Sequence, residues 1–484
     1  MKQKSLGANF IYNTLKTLLG VVFPLISFPY VSRVLGPDGL GKVDYSQAVI
    51  TYFILIASFG IAGYAVREGA RLRDDREKLN VFCGEILAIN LVTVCIAYAA
   101  FLIALLLPAF APYRELLLLF SVSIVLTVIG MEWLYNIFEE YRYITVRSFI
   151  FQLISLCLLL TLVRKKEDYL LYAVILVFSG VGSNVLNFIR ARKYIRVRFL
   201  FSRNLMTHVK PMCMIFIMTV ASSVYLVMDR TMLGYITGND AQVGLYAAAI
   251  KVHAVIMSLL TSLRVIMTPR VAYYMQKDPS EADRLNELTM RLAVLFAMPC
   301  SAGVFLLSDR ILLLLSGNEY LEASLTLKIL MVDLILASLN GIIVNQIFIT
   351  RRKDIHASAA VVIGALCNLA CNALTIPVWG KEGAAVSTVV SEAAMFVFVC
   401  IKGRNFFRIR SVCGQLLQSV AACVPMAVII RGISSLAIAN YQMLILSICA
   451  CAAEYFVFLR LLRNPLVTGG LELLKNRLRG KERK

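Results

Sequence analysis

Polar residues spaced along otherwise apolar segments are the part of this sequence that could do chemistry. In the first such segment Asn9, Asn13 and Lys16 recur at intervals of three and four residues, which places them on one face of a helix. Charged groups inside a membrane helix are energetically costly and usually face a cavity or a partner. We therefore expect this face to line a cavity, although Asn9 and Asn13 could instead lie at the membrane interface, with Lys16 extending towards it.

Basic, amide and hydroxyl side chains in later segments have the same polar character. Lysine and arginine bind phosphate groups, whereas asparagine and tyrosine exchange hydrogen bonds with sugar hydroxyls. A cavity for lipophilic cations would instead be acidic and aromatic. Lys251 and His253 lie about 200° apart on a helix, so we take Lys251 as the anion ligand and expect His253 to pack against a neighbour. The candidates for substrate binding are Asn9, Asn13, Lys16, Tyr225, Arg230, Lys251, Lys328, Asn340, Asn368 and Asn372.

Four carboxylates inside apolar segments are candidates for ion coupling: Glu132, Asp229, Asp333 and Glu392. An isolated carboxylate in the membrane can carry a proton or bind Na⁺. It can equally form a structural hydrogen bond to a neighbouring helix, and Asp229 could simply pair with Arg230 beside it. Both interpretations stay open for each residue. The 12 cysteines lack the spacing of metal ligands, so we expect no metal and no cofactor other than a coupling H⁺ or Na⁺.

A glycine-rich motif occurs twice, about 200 residues apart. Leu35-Gly-Pro-Asp-Gly-Leu-Gly41 resembles the segment from Leu233-Gly234 to Gly244-Leu245, and each leads into an alanine-containing apolar stretch. Both copies fit the end of one helix, an outward turn and the start of the next helix. We expect a parallel repeat of six helices. Gly36, Gly39 and Gly41 would form the outward turn, or outer gate, and Arg33 its rim.

Long apolar helices must position these residues. Of 484 residues, 59% are hydrophobic and only 16% are charged, which excludes a set of soluble domains. A bilayer core needs roughly 20 apolar residues per helix. The sequence predicts an all-α, polytopic integral membrane protein of about fourteen helices. The predicted spans cover residues 10–32, 44–65, 81–107, 115–138, 144–163, 169–189, 210–236, 241–263, 288–307, 324–349, 356–378, 383–401, 415–432 and 441–460.

The positive charges indicate the orientation of these helices. The formal net charge is +20, and lysine and arginine concentrate in alternate connections such as residues 67–78 and 190–210. The positive-inside rule then places both termini in the cytoplasm, and anionic lipid headgroups rather than nucleic acid explain the excess of charge. We predict six-helix lobes at residues 1–208 and 209–405, two further transmembrane helices at 406–462 and a basic cytoplasmic tail at 463–484.

Several motifs resemble those of the polysaccharide-transporter, or O-antigen (Wzx-type) flippase, family. They are Val31-Ser-Arg-Val-Leu-Gly-Pro-Asp-Gly-Leu-Gly41, Phe59-Gly60 followed by Arg67-Glu68, Met228-Asp-Arg-Thr-Met-Leu-Gly234, Val243-Gly-Leu-Tyr-Ala-Ala-Ala249 and Gly383-Ala-Ala-Val-Ser-Thr-Val-Val-Ser-Glu392. The family belongs to a superfamily that includes the multidrug and toxic compound extrusion (MATE) transporters and the lipid II flippase. The motifs are spread over nearly the whole chain.

This resemblance implies two six-helix lobes around a central cavity and transport by alternating access. The expected substrate is an undecaprenyl-diphosphate-linked repeat unit, moved from the cytoplasmic to the outer leaflet of a bacterial inner membrane with a H⁺ or Na⁺ gradient as the energy source. Candidate partners besides the bilayer are a polysaccharide polymerase and assembly proteins. A MATE-like cation-coupled drug exporter is the alternative. An enzyme is not expected, because the outward loops are short.

Overall fold

The computed structural model describes residues 6–436, 438–470 and 472, and its regular structure over these residues is helical, with no β-strand. The all-α prediction is confirmed. Most of the predicted basic tail, beyond residue 472, lies outside the described residues. Within the helices, the side chains of residues 6–11, 13, 14, 16–19, 21, 218, 221, 222 and 224–226 also lie outside the description.

Sixteen α-helices are found in this part of the chain. They are α1 (Leu6–Ser58), α2 (Ile61–Leu72), α3 (Arg76–Ala104), α4 (Arg114–Ile129), α5 (Glu132–Ile137), α6 (Tyr141–Leu162), α7 (Tyr169–Val177), α8 (Asn184–Ala191), α9 (Leu205–Thr237), α10 (Asp240–Lys277), α11 (Pro279–Ser316), α12 (Ser324–Ile342), α13 (Asp354–Trp379), α14 (Lys381–Gly403), α15 (Ile409–Ser434) and α16 (Asn440–Leu461). Short 3₁₀-helices precede α4, α7 and α12, and π-helical turns follow α7 and α12.

Twelve helical segments of the described chain are long and apolar enough to cross a membrane. The chain is therefore a multi-pass membrane protein, but the predicted count of fourteen spans is not confirmed. The twelve include Val22–Leu72 as a single segment, whereas the sequence predicts two spans over this region. Within α9, Leu205–Ile217 is a shorter apolar stretch, and several side chains that follow it lie outside the described part of the structure.

Gly36 interrupts α1 and explains why this helix can be so long. Its φ of 68° and ψ of 178° are not helical, so the 53 residues form two helices that meet at a kink. A straight helix of that length would be about 80 Å long, well beyond the thickness of a bilayer. A positive φ favours glycine because glycine has no Cβ, and Pro37 after it is well suited to begin the second helix.

Aspartates begin two of the helices that follow charged connections. The Asp75 side chain accepts a hydrogen bond from the backbone N–H of Lys78 at the start of α3, and Asp278 accepts from Ser280 and Glu281 at the start of α11. The backbone donor at Asp75, and the Ser280 hydroxyl at Asp278, lower the pKa of these carboxyls. Both helix starts are thus fixed by local sequence.

The chain forms two compact units, Met1–Ala247 and Ala248–Lys484, which we call unit 1 and unit 2. A core in unit 1 joins α2, α3 and α5 around residues such as Leu79 and Trp133. In unit 2, α15 and α16 pack on α11, where the Tyr455 hydroxyl donates to the Leu295 carbonyl over 2.9 Å. The lobe boundaries predicted from the sequence remain predictions.

Candidate functional site

Some of the sequence candidates lie where only the backbone is described. Asn9, Asn13 and Lys16 belong to α1 and Tyr225 belongs to α9, but their side chains lie outside the described part of the structure. The polar face predicted for the first helix therefore stays a prediction.

The two copies of the glycine-rich motif lie against each other in unit 1. A Cβ added to Gly41 would overlap the backbone carbonyl of Asp240, and a Cβ added to Gly244 would overlap that of Pro37. The start of the second half of α1 and the start of α10 thus touch backbone to backbone. Contact this close requires glycine at both positions. A backbone carbonyl cannot move aside for a Cβ atom, whereas the end of a flexible side chain can.

Aromatic side chains pack around the same contact. The Tyr113 hydroxyl donates to Oδ1 of Asp240 over 2.6 Å, and its ring lies 4.7 Å from the ring of Tyr45. The Tyr45 ring in turn fills the space beside Gly234, where a Cβ would overlap it. Gly39 packs more loosely, with a built Cβ 3.2 Å from that of Leu35, and Arg33 is exposed. We call Pro37, Gly41, Tyr113, Asp240 and Gly244 the glycine contact.

Asp229 is buried and hydrogen-bonded in unit 1. The Tyr246 hydroxyl donates to its Oδ2 over 2.6 Å, so α10 contributes a direct partner to this carboxylate. Arg230 beside it is half-buried, and the hydroxyls of Thr231 and Tyr52 lie 2.9 Å apart. This arrangement connects α9 to α10 and to the second half of α1.

Glu132 begins α5, directly after Met131, whose φ of 43° is left-handed. It interacts electrostatically with Arg147 of α6, which is buried and also lies above the Tyr143 ring, 5.8 Å from its centre. A buried arginine beside a carboxylate avoids the cost of an isolated charge. The isolated carboxylate predicted at Glu132 therefore has a basic neighbour.

The structure brings His253 and Asp333 together inside unit 2. Nε2 of His253 in α10 lies 3.0 Å from Oδ2 of Asp333 in α12, and the two side chains are only 12% and 3% exposed. The neighbour against which His253 packs is thus a candidate for ion coupling. Lys251, two residues earlier, is half-buried.

Amide side chains also pair inside unit 2. Asn340 donates to Oε2 of Glu392 over 2.6 Å and to the Glu392 carbonyl, which joins α12 to α14. On α13, Asn372 donates to Oδ1 of Asn368 over 3.0 Å, and both residues are fully buried. Lys328 lies apart from these pairs. It is four residues into α12, with its Nζ 3.8 Å from Oδ2 of the exposed Asp309.

Comparison with known proteins assigns the chain to a family. Residues 6–275 match the family described as "Polysaccharide biosynthesis protein", which is more than half of the 484 residues. The chain belongs to this family. The match includes the glycine contact, Glu132, Asp229 and His253, so most of the polar groups described above lie in the family region.

Individual proteins extend the likeness along the chain. A protein of Escherichia coli (strain K12) named "Putative O-antigen transporter" is 23% identical over 410 residues, covering 83% of this chain and 97% of that relative. The solved structure of "Lipid II flippase MurJ, inward closed conformation" aligns with a TM-score of 0.75 at 14% identity, covering 95% of this chain and all of that one. An inward-facing MATE transporter aligns with a TM-score of 0.64 at 13% identity, covering 84% and 99%.

A second buried polar cluster lies in the family region and was not predicted from the sequence. The Ser202 hydroxyl donates to Oε1 of Glu85 over 2.5 Å, and Nε2 of His208 lies 3.0 Å from Oε2. Nδ1 of His208 lies 2.7 Å from the Tyr64 hydroxyl. The cluster joins α2, α3 and α9. Its only signal in the sequence is an acid, Glu85, inside a predicted apolar span.

Replacing Glu85 by alanine is expected to destabilise the protein by about 2 kcal/mol, because His208 and Ser202 lose the acceptor that Glu85 provides in a buried setting. The thermal midpoint of the purified protein should fall by several degrees. Glu77→Ala changes an exposed glutamate in the first turn of the same helix and serves as the control. Equal shifts for the two variants would contradict a structural role for the cluster.

Proposed function

We propose that this chain is a flippase that moves a lipid-linked oligosaccharide from the cytoplasmic to the outer leaflet of a bacterial inner membrane. The observation that carries the proposal is the combination of family and fold. A member of the polysaccharide biosynthesis protein family has the fold of a lipid flippase over 95% of its length. The near-complete alignment with a relative named for O-antigen transport supports the same substrate class. A transporter, not an enzyme, fits these relatives.

The buried polar groups are suited to such a substrate. A lipid-linked glycan presents phosphates and many hydroxyls, which need cations and hydrogen-bonding groups in place of water. Lys251 is our candidate for the phosphates, together with Lys16 and Arg230. Asn340, Asn368 and Asn372 are hydrogen-bonded and buried in this structure, so they can contact sugar only after the helices around them move apart.

Proton coupling is assigned to His253 and Asp333. Histidine is the side chain whose charge changes most readily near neutral pH, and here it lies 3.0 Å from a buried carboxylate. A Na⁺ site would favour a shell of oxygen ligands, which suits an imidazole partner less well. A change in the charge of this buried pair is the kind of local event that can shift a conformational equilibrium.

The glycine contact is assigned to the outer gate of an alternating-access cycle. The predicted orientation places these helix starts at the outward side, and their backbone contact excludes even a methyl group. Opening toward the outside would require the start of the second half of α1 and the start of α10 to separate. A polysaccharide polymerase at the outer leaflet is the expected consumer of the delivered repeat unit.

Deletion of the gene in its own host tests the proposal. We expect surface polysaccharide to be lost and the lipid-linked repeat unit to accumulate where only cytoplasmic-side reagents reach it. Expression of the intact chain from a plasmid should restore both. Normal surface polysaccharide together with increased sensitivity to cationic drugs would contradict the proposal and favour a drug exporter.

A further inference from the structure

A pocket of about 760 Å³ lies in unit 2 where three transmembrane helices begin or end. Its walls come from the first turns of α11, the connection between α14 and α15, and Leu466 beyond the end of α16. The 23 residues of α14 and the 26 of α15 are about the length that crosses a bilayer, so we place the connection between them, and with it the pocket, near the lipid headgroups. Its lining residues are Ser280, Asp283, Arg284, Glu287, Leu288, Arg291, Arg404, Asn405, Phe406, Phe407, Arg408 and Leu466.

The pocket has more arginine than its acids neutralise. Arg284 pairs with Glu281 through two hydrogen bonds of 2.7 and 2.6 Å, and Asp283 pairs with Arg351 outside the pocket. The other charged residues that line the pocket are Arg291, Arg404 and Arg408, which carry three positive charges, and Glu287, which carries one negative charge. None of the three has an acidic partner within 4.0 Å among the described residues.

Two further features of the pocket favour an anion. Nε of Arg291 is buried and has no hydrogen-bond acceptor within the described structure. The 26-residue helix α15 starts at the pocket, and its N-cap residue, Arg408, provides no side-chain cap. The first N–H groups of an uncapped helix are unsatisfied donors at the positive end of the helix dipole, where phosphate groups bind readily.

A second basic pocket, of about 500 Å³, adjoins the first across Phe406. It is lined by Arg351, Arg352 and Lys353, and the Arg351 guanidinium lies 4.4 Å from the centre of the Phe406 ring. Arg351 therefore forms an ion pair with Asp283 and also stacks on the Phe406 ring. The basic surface extends over both sides of this aromatic residue.

We propose that the larger pocket binds the phosphate headgroup of an anionic membrane phospholipid. Basic pockets between transmembrane helices are typical binding sites for such headgroups. Apolar side chains continue the site into the bilayer, because Leu288, Phe407 and Leu466 line the pocket and Ile409 and Leu417 of α15 are 42% and 72% exposed. A soluble phosphate would not use this apolar surface, so a lipid is the occupant that fits. The inference does not depend on the transported substrate.

Binding of phosphatidylglycerol that carries a fluorescent acyl chain, to the purified full-length protein in neutral detergent, tests this site. Arg291→Gln, Arg404→Gln and Arg408→Gln together should weaken binding about tenfold or more, since each basic group near the headgroup contributes to the affinity. The triple lysine variant at the same positions should retain most of the affinity, which separates lost charge from lost folding. Phosphatidylcholine should compete poorly.

A charge-matched variant provides the control. Arg192→Gln, Lys193→Gln and Arg196→Gln remove three exposed basic residues from unit 1 and should change the affinity less than twofold. Equal weakening in both glutamine variants, or unchanged binding in the pocket variant, would overturn the site. Competition by inorganic phosphate as strong as that by the lipid would overturn the lipid as occupant. Displacement by a prenyl diphosphate alone, and not by phosphatidylglycerol, would overturn it as well.

Discussion

Alanine in place of Gly41 or Gly244 should reduce surface polysaccharide by about fivefold or more, although the protein still accumulates in the membrane. Each substitution places a methyl group on a backbone carbonyl, that of Asp240 or of Pro37. Overpacking of this kind costs about 1–3 kcal/mol when the surroundings cannot adjust. Since about 1.4 kcal/mol corresponds to a tenfold change in an equilibrium, this cost shifts the equilibrium away from the closed contact by about fivefold to a hundredfold. Valine at either position should have a larger effect.

The measurement is surface polysaccharide in the deletion strain, normalised to the amount of each variant in the membrane. Gly303→Ala is the matched control, because Gly303 is also helical and has no atom within 4 Å of a built Cβ. It should support normal polysaccharide. If Gly41→Ala and Gly244→Ala also gave normal amounts, the glycine contact would have no role in transport.

Hydropathy predicts the helical class of this fold because twelve helical segments of the described chain are apolar and long enough to span a bilayer. It does not settle the number of spans, since that depends on how Gly36 divides α1. The glycine pattern predicts a turn at Gly36, Gly39 and Gly41; in the structure Gly36 alone of the three is non-helical, with a φ of 68°. The pattern does not predict that the second copy of the motif packs on the first. Which helices touch depends on packing between residues about 200 positions apart, and no local preference encodes it.

The candidate site shows the same limit at the level of side chains. Helical spacing predicts that Lys251 and His253 lie on different faces of α10, but it cannot identify Asp333 as the residue 3.0 Å from His253. In the same way, the sequence predicts an isolated carboxylate at Glu392, whereas in the structure Asn340 of α12 donates a hydrogen bond to it. The sequence does not predict the cluster around Glu85, because a single acid near the end of a span resembles a residue at the membrane interface. Polar residues in membrane helices can be found from sequence, whereas their partners cannot.

Asp333→Asn should reduce transport about a hundredfold and remove its dependence on a proton gradient. The variant keeps the size of the side chain but removes the negative charge beside His253, so the pair loses the carboxylate that the proposal uses for proton exchange, and the loss of one partner from a buried pair also lowers stability. The measurement is the movement of lipid-linked glycan from the outer, originally cytoplasmic leaflet to the inner leaflet of inverted membrane vesicles, with and without an imposed pH difference. Glu322→Gln makes the same chemical change at an exposed site in unit 2 and should leave both properties intact.

Stability and coupling can be separated by a variant that exchanges the two residues. His253→Asp combined with Asp333→His restores a carboxylate and an imidazole to the same position, so it should recover the thermal midpoint that Asp333→Asn loses. If it also recovers transport that responds to the gradient, the pair itself exchanges the proton. Gradient-driven transport that persists in Asp333→Asn would instead remove His253 and Asp333 from the coupling step. The flippase proposal would survive that result, because gene deletion tests it independently, and Glu132, Asp229 and Glu392 would then be the carboxylates left to carry the ion.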